Sequence, residues 1–167
     1  MYYKKFDKPQ KISDKNFQKI LDFYLFHCPT PDKSVRSKTF EQLGWKGSPQ
    51  FSQLKKQLLA SASKSLRSNY YPCKKDELEA YFKLVSNIAP IDEYCVFFMN
   101  EEKSVIQSLF SAIRNAFAHG SFSVQTYNKE RIYFFSNYHK FLKAEIVLQE
   151  KTLLAWISIL EKGYSAN

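Results

Sequence analysis

Large apolar side chains recur at helical intervals along the first half of the chain. After the candidate N-cap Ser13, the segment DKNFQKILDFYLFH places four of them on one helical face: Phe17, Ile20, Leu21 and Tyr24. Two prolines after Cys28 end this helix, and residues 29–50 are predicted to be largely irregular. A second helix is predicted from residue 48 or 49 to 69, because Leu or Ala recurs every four positions from Leu54 to Leu66.

The second half begins with two further helices and an ambiguous segment between them. A helix over about 74–89 starts with acidic residues, which suit a helix N-terminus, and ends at Pro90. The next segment, IDEYCVFFM, is apolar enough for a buried helical turn or a strand, and its periodicity does not decide between them. Asn100 is the candidate cap of a helix over EEKSVIQSLFSAIRNAFAH, which Gly120 ends.

After Gly120 the pattern becomes typical of β-structure. SFSVQTY and RIYFFSN flank Asn128, Lys129 and Glu130, and this arrangement predicts a β-hairpin. The segment LKAEIVL adds a third strand or begins the last helix, which is predicted over about 149–161. Because no repeat or linker divides the chain, residues 1–167 are expected to form a single domain of helices with a small β-insert.

Positive charge is concentrated in the N-terminal half. Residues 1–75 contain 16 Lys/Arg and 5 Asp/Glu, a net charge of +11, whereas residues 76–167 contain 9 and 11, a net charge of −2. This asymmetry favours a polyanionic partner such as RNA, although a solubilising lysine-rich surface would have the same composition. Six basic residues are the candidates for contact with RNA phosphates: Lys55, Lys56, Lys64, Arg67, Lys74 and Lys75.

Cysteine and histidine usage bears on metals and on the cellular compartment. The three cysteines and three histidines are scattered and show no metal-site spacing, so neither a metal nor another cofactor is expected. The first ten residues lack the apolar core of a signal peptide, and no apolar run reaches the ~18 residues of a membrane span. A cytoplasmic protein without membrane association is therefore predicted.

The helix that ends at Gly120 carries the most informative polar residues. On a helical wheel of about 100° per residue, the apolar side chains within about 60° of Ile113 form the predicted core face: Ile106, Leu109, Phe110, Ala116 and Phe117. The opposite stripe is polar or small, and would suit a second helix or a ligand close to the backbone. Its members are Gln107, Ser108, Ser111, Arg114, Asn115, Ala118 and His119.

Three residues of this stripe are candidates for chemistry on RNA. Asn115 and His119 are four residues apart and share a helix face, so the amide could orient the imidazole. Arg114 and His119 are about 140° apart on an ideal helix and do not stack directly. Histidine transfers protons near neutral pH and arginine binds phosphate bidentately, which is the chemistry that RNA cleavage without a metal requires. The same cluster is also typical of solvent-exposed polar residues without a functional role, or of a helix cap.

The string IRNAFAHGSF resembles the signature of the HEPN superfamily: Arg, a polar residue that is often Asn, three further residues, then His. The matching positions are Arg114, Asn115 and His119. The order of motif helix, β-rich stretch and last helix over about 100–162 is similar to that of small stand-alone HEPN proteins from plasmids and bacterial defence loci. The resemblance implies a mainly α fold, a HEPN-like helical bundle with a small β-hairpin insert before the last helix.

The resemblance also implies a function. It is that of a metal-independent endoribonuclease, acting as a toxin or phage-defence effector, whose homodimer lines one cleft with two sets of Arg114, Asn115 and His119. Whether an antitoxin or another regulatory protein controls it stays open. One alternative is a catalytically silent HEPN-like module that binds RNA or protein; another is a helical adaptor that acts through dimerisation. His139 is interpreted as a surface residue, with RNA contact as the alternative, and Tyr70 and Tyr71 either stack on bases or pack in the core.

Overall fold

The computed structural model of the protein describes residues 14–29 and 38–166. Its strands are β1 (Tyr70–Cys73), β2 (Tyr94–Phe98), β3 (Phe122–Tyr127), β4 (Glu130–His139) and β5 (Phe141–Gln149). They form one five-stranded sheet in the order β1-β2-β5-β4-β3. β1 runs parallel to β2, and every other neighbouring pair is antiparallel.

Helices cover both faces of this sheet. They are α1 (Lys15–Asp22), which continues into a π-helical turn (Phe23–His27), α2 (Gly47–Ser61), α3 (Lys64–Ser68), α4 (Leu78–Val85), α5 (Val105–Ala118) and α6 (Glu150–Lys162). The larger core lies between the sheet and the α1, α2, α5 and α6 side, and the smaller one lies beneath α4. Successive strand residues alternate between the two cores, so Cys95 and Phe97 face the larger core while Tyr94 and Val96 face the smaller.

The predicted mainly α, HEPN-like helical bundle with a small β-hairpin insert is wrong, because the chain folds as a mixed α/β structure around the five-stranded sheet. The predicted hairpin is present as β3 and β4, joined by Asn128 and Lys129, both with positive φ. It is not an insert, since β4 continues the sheet through β5 to β2 and β1. These pairings join residues far apart in sequence, and helical periodicity carries no information about them.

The segments that became β1 and β2 hold the main local differences, since the sequence predicted no strand at the first and left a helical turn or a strand open at the second. The predicted second helix is divided into α2 and α3. Its predicted end near residue 69 agrees with the end of α3 at Ser68, but the residues that follow form the strand β1, which the sequence did not predict. Pro72 is compatible with β1 because β1 is an edge strand. IDEYCVFFM contains β2, a buried strand that alternation does not reveal because both of its faces are covered. The helix predicted over 74–89 is the shorter α4.

Other local predictions agree with the structure. The first helix, the helix before Gly120 and the last helix are α1, α5 and α6. The predicted cap Ser13 lies outside the described residues, and Asp14 caps α1 by accepting a hydrogen bond from the Phe17 amide at 2.9 Å. The cap of α5 is Ser104 instead of Asn100. In the described ranges, no helix combines the length and the apolar character needed to cross a membrane.

Candidate functional site

The core face predicted for α5 is confirmed. Every side chain assigned to that face is buried: Ile106, Leu109, Phe110, Ile113, Ala116 and Phe117. Ser104 and Gln107 form a capping box that fixes the start of the helix, with hydrogen bonds of 3.1 and 2.8 Å. The position of α5 on the sheet therefore follows from its apolar stripe, and the polar stripe points away from the core.

The C-terminal end of α5 places His119 beside the end of β4. His119 is the C-cap residue, and Gly120 follows with φ +65°. The Gly120 amide donates to the Phe117 carbonyl and the Ser121 amide to the Ala116 carbonyl, the two hydrogen bonds of a Schellman motif. The Ser121 carbonyl then accepts a hydrogen bond of 2.9 Å from the Ser136 amide in β4.

The segment between β2 and α5 forms a second wall. The Asn100 side-chain oxygen accepts a hydrogen bond from the Glu102 backbone amide at 2.9 Å. The backbone carbonyl of Asn100 accepts one from the Lys103 backbone amide at 3.0 Å. The backbone amide of Asn100 donates a hydrogen bond to the buried hydroxyl of Ser108 at 3.2 Å, and this bond connects the segment to α5. These contacts hold Lys103 above the polar face of the helix.

The turn between β4 and β5 forms the third wall. His139 pairs with Phe141 across the turn residue Lys140, whose φ is +63°. The register shifts at Asn137 and Tyr138, which indicates a β-bulge that redirects the strand end. Since β2 ends, β4 ends and β5 begins at the same end of the sheet, residues distant in sequence meet there.

An open cleft of about 410 Å³ lies between these three walls. Asn115, His119 and His139 line it, together with Lys103 and Lys143. The remaining lining side chains are Phe98, Asn100, Ser108, Ser111, Ala112, Asn137 and Tyr138. The Ser111 hydroxyl is buried there and has no hydrogen-bond partner among the described residues. Among the described residues, the lining contains two imidazoles, two ammonium groups and several amides, and no carboxylate.

Arg114 lies on a different side of α5. It does not line the cleft, and its charge acts on the Cys28 thiol, which follows the π-helical turn. Burial raises the pKa of Cys28, and the positive charge of Arg114 lowers it by less. This placement agrees with the ~140° between Arg114 and His119 on an ideal helix. Asn115 and His119 share the cleft, but in the described chain no hydrogen bond joins their side chains.

The structure also separates the six predicted RNA contacts. Lys74 and Lys75 follow β1 at the end of the sheet that holds the cleft. The other four precede β1 on α2 and α3 and do not line the cleft: Lys55, Lys56, Lys64 and Arg67. Lys55 contacts the Tyr70 ring, with 5.1 Å between Nζ and the ring centre. Tyr70 also packs on Phe97, and Tyr71 stacks on Tyr81, so both tyrosines serve packing.

Sequence reasoning missed most of the cleft. Lys103, Lys143 and Asn137 carried no motif, and His139 was interpreted as a surface residue with RNA contact as the alternative. Their proximity depends on the pairing of β5 with β2 and β4, which local sequence does not encode. One signal in the sequence could have placed two of these residues near each other, since His139 and Lys143 flank a short turn between two apolar runs.

Comparison with known proteins does not assign a family. No protein family, curated protein or solved structure matches this chain. The likeness to the HEPN motif therefore stands on the ten residues from Ile113 to Phe122 and the pattern around them. The candidate site rests on its own geometry.

Proposed function

We propose that this protein is a metal-independent endoribonuclease and that His119 and His139 transfer the protons. The observation that supports it best is the meeting of these two histidines with Lys103 and Lys143 in one cleft, where the part of the chain that the structure describes contributes no carboxylate. Attack of a 2′-hydroxyl on the adjacent phosphorus requires a base at that hydroxyl and an acid at the departing 5′-oxygen. Two imidazoles can provide both, since histidine exchanges protons near neutral pH.

The other cleft residues support the same chemistry. Negative charge grows on the phosphate oxygens during the attack, and the ammonium groups of Lys103 and Lys143 would stabilise it. Asn115 and Asn137 offer amide donors and acceptors beside the histidines. The products expected from this route are a 2′,3′-cyclic phosphate and a free 5′-hydroxyl.

A homodimer belongs to the proposal because it would bring an arginine to the cleft. Arg114 lies across α5 from His119 of its own protomer, so a composite site would take Arg114 from a second protomer. An equimolar mixture of Arg114→Ala and His119→Ala should then recover about a quarter of wild-type activity, since half of the dimers are mixed and each holds one intact site. Full activity of Arg114→Ala by itself, with a mixture that shows only the mean of the two variants, would instead indicate a site built from one protomer.

The proposal extends to a biological setting. A cytoplasmic toxin or phage-defence role fits three unpaired, buried cysteines, Cys28, Cys73 and Cys95, and a net charge of +9. Control by an antitoxin or another regulatory protein stays a prediction that no described contact tests.

The decisive experiment is cleavage of labelled RNA in EDTA by the wild type, His119→Ala and His139→Ala. His27→Ala is the matched control, because His27 is exposed, lies within 3.3 Å of Asp22 and is outside the cleft. We expect wild type and control to leave 2′,3′-cyclic phosphate ends and each cleft variant to lose at least ~100-fold in rate. RNA binding without cleavage by the wild type would reject the nuclease and favour a catalytically silent binding module.

A further inference from the structure

A second depression lies beside the cleft, across the turn that joins β4 to β5. Its volume is about 350 Å³. Apolar side chains of α4 and β5 line much of it: Leu78, Phe82, Phe141 and Leu142. Tyr138 lines both this depression and the cleft. The depression is termed the turn groove below.

Tyr138 is an aromatic side chain that core packing does not explain. It is 72% exposed, against 49% for Phe26 and 54% for Leu84, the other exposed large hydrophobic residues described. Its hydroxyl donates to the Lys140 carbonyl at 3.3 Å, so the ring is anchored to the turn while it stays in solvent. An exposed ring held between two cavities is suited to stacking on a planar ligand.

Lysines line both of the cavities that share Tyr138. Lys75 and Lys140 line the turn groove, and the Lys75 Nζ lies 4.9 Å from the centre of the Phe141 ring. Lys143, on the cleft side, lies 5.5 Å from the same ring centre. The acidic residue of the groove, Glu79, is paired with Lys83 at 3.0 Å, so its charge is compensated on α4.

Aromatic rings flanked by lysines are the recurring arrangement for single-stranded nucleic acid, in which bases stack on the rings and phosphates lie beside the ammonium groups. The cleft and the turn groove share Tyr138, so a chain with its phosphate in the cleft would place a neighbouring base over that ring. A duplex keeps its bases paired and stacked inside the helix, and a base cannot reach the ring without being unpaired.

We propose that the turn groove is a base-binding subsite centred on Tyr138, and that it makes the site selective for single-stranded over double-stranded RNA. The inference rests on the RNA-cleaving role proposed above and adds a substrate preference to it. Lys75, one of the residues predicted to contact phosphates, is assigned to the same subsite.

The test separates binding from cleavage. Fluorescence anisotropy is measured with a labelled 2′-O-methyl oligouridine, which has no free 2′-hydroxyl to attack its phosphates, and with a duplex of the same length and backbone. The variants are Tyr138→Ala, Tyr138→Phe, and Phe26→Ala as an exposed aromatic control on the π-helical turn. We expect single strands to bind more tightly than the duplex, and Tyr138→Ala to weaken single-strand binding about tenfold. Tyr138→Phe, which keeps the ring, and Phe26→Ala should stay within about twofold of the wild type.

Equal affinity of Tyr138→Ala and wild type, or equal binding of single strand and duplex, would overturn the subsite. A loss in Tyr138→Phe as large as in Tyr138→Ala would also overturn it, because the hydroxyl contact to Lys140 would then be the cause. The two proposals fail separately. Tyr138-dependent binding without any RNA cleavage would reject the nuclease alone, and cleavage with unchanged KM in Tyr138→Ala would reject the subsite alone.

Discussion

The two ends of the central sheet use charge in opposite ways. At the paired end, where β4 begins and β5 ends, Arg131 contacts both Asp14 and Glu150, and Lys151 lies 3.4 Å from Glu130. The cleft end lies about 26 Å away, from Arg131 to His139 along β4 at ~3.3 Å per residue. Two histidines and two lysines line the cavity there, and no carboxylate of the described residues does.

This difference separates a structural role from a functional one. Glu150 also accepts hydrogen bonds from Tyr133 at 3.0 Å and from Asn16 at 3.1 Å, so the paired end fastens α1 and α6 to the sheet. Its opposite charges satisfy one another and leave little attraction for a ligand. Cations that line one cavity repel one another, and a bound anion would relieve that repulsion. Position in the sheet, more than the charge of a segment, therefore separates the proposed binding residues from the structural ones.

The largest effect should come from the histidines of the cleft end. We expect the double variant His119→Ala/His139→Ala to lose about as much cleavage rate as either single variant, because residues that act as a unit are not additive. Its urea unfolding midpoint should stay near that of the wild type, since both side chains are exposed. Losses that multiply would show that the histidines act independently.

Arg131→Met at the paired end should have the reverse profile. Removing the guanidinium leaves the carboxylates of Asp14 and Glu150 without their shared cation, and we expect about 2 kcal/mol less unfolding free energy in urea titrations. The cleavage rate per folded molecule should not change. A drop in that rate at full stability would mean that the two ends are coupled.

Gly120→Ala tests how firmly local backbone sets the cleft end. An added Cβ would meet nothing within 4 Å, so the cost is the positive φ alone, about 1 kcal/mol by thermal or urea unfolding. Gly163→Ala is the comparison, because its Cβ would approach the Leu43 carbonyl oxygen to 2.8 Å. A larger loss at Gly120 than at Gly163 would contradict this explanation.

Lys143→Ala and Lys151→Ala compare single cations of the two ends. We expect Lys143→Ala to weaken RNA binding several-fold. The slope of the logarithm of the association constant against the logarithm of salt concentration should become less steep by about one. Lys151→Ala removes a lysine that already contacts Glu130 and should leave both quantities unchanged. Equal losses would indicate nonspecific attraction by the whole surface.

The smallest effect concerns acid stability of the paired end. The hydrogen bond from Arg131 holds the pKa of Asp14 below its usual value of 3.8. Because this pKa is lower in the folded state than in the unfolded state, the ionised carboxylate stabilises the fold at pH values above its unfolded-state pKa. This contribution is lost as the pH falls below about 4 and passes the folded-state pKa. The unfolding free energy of Asp14→Asn should therefore decline less between pH 5 and pH 2 than that of the wild type. Equal declines of the unfolding free energy in the variant and the wild type would show that Asp14 does not contribute to the acid sensitivity.

Local sequence determined the features that depend on neighbouring residues. The apolar stripe of α5 selected its core face, Gly120 ended the helix, and Asn128 and Lys129 produced the hairpin, since periodicity and turn preferences act over a few residues. The motif positions Asn115 and His119 were also found this way, and both line the cleft.

Tertiary structure alone decided how β1, β2 and β5 join the hairpin in one sheet, and which residues meet the polar side of α5 in the cleft. Tyr70 pairs with Cys95 and Tyr94 with Val147, and these partners are selected by burial of both sheet faces and not by their neighbours in sequence. The same pairing brings His139 and Lys143 to His119 and leaves Arg114 on the other side of α5. Contacts between distant segments depend on how the whole chain packs, which is why the sequence indicated only the α5 side of the cleft and the fold supplied the rest.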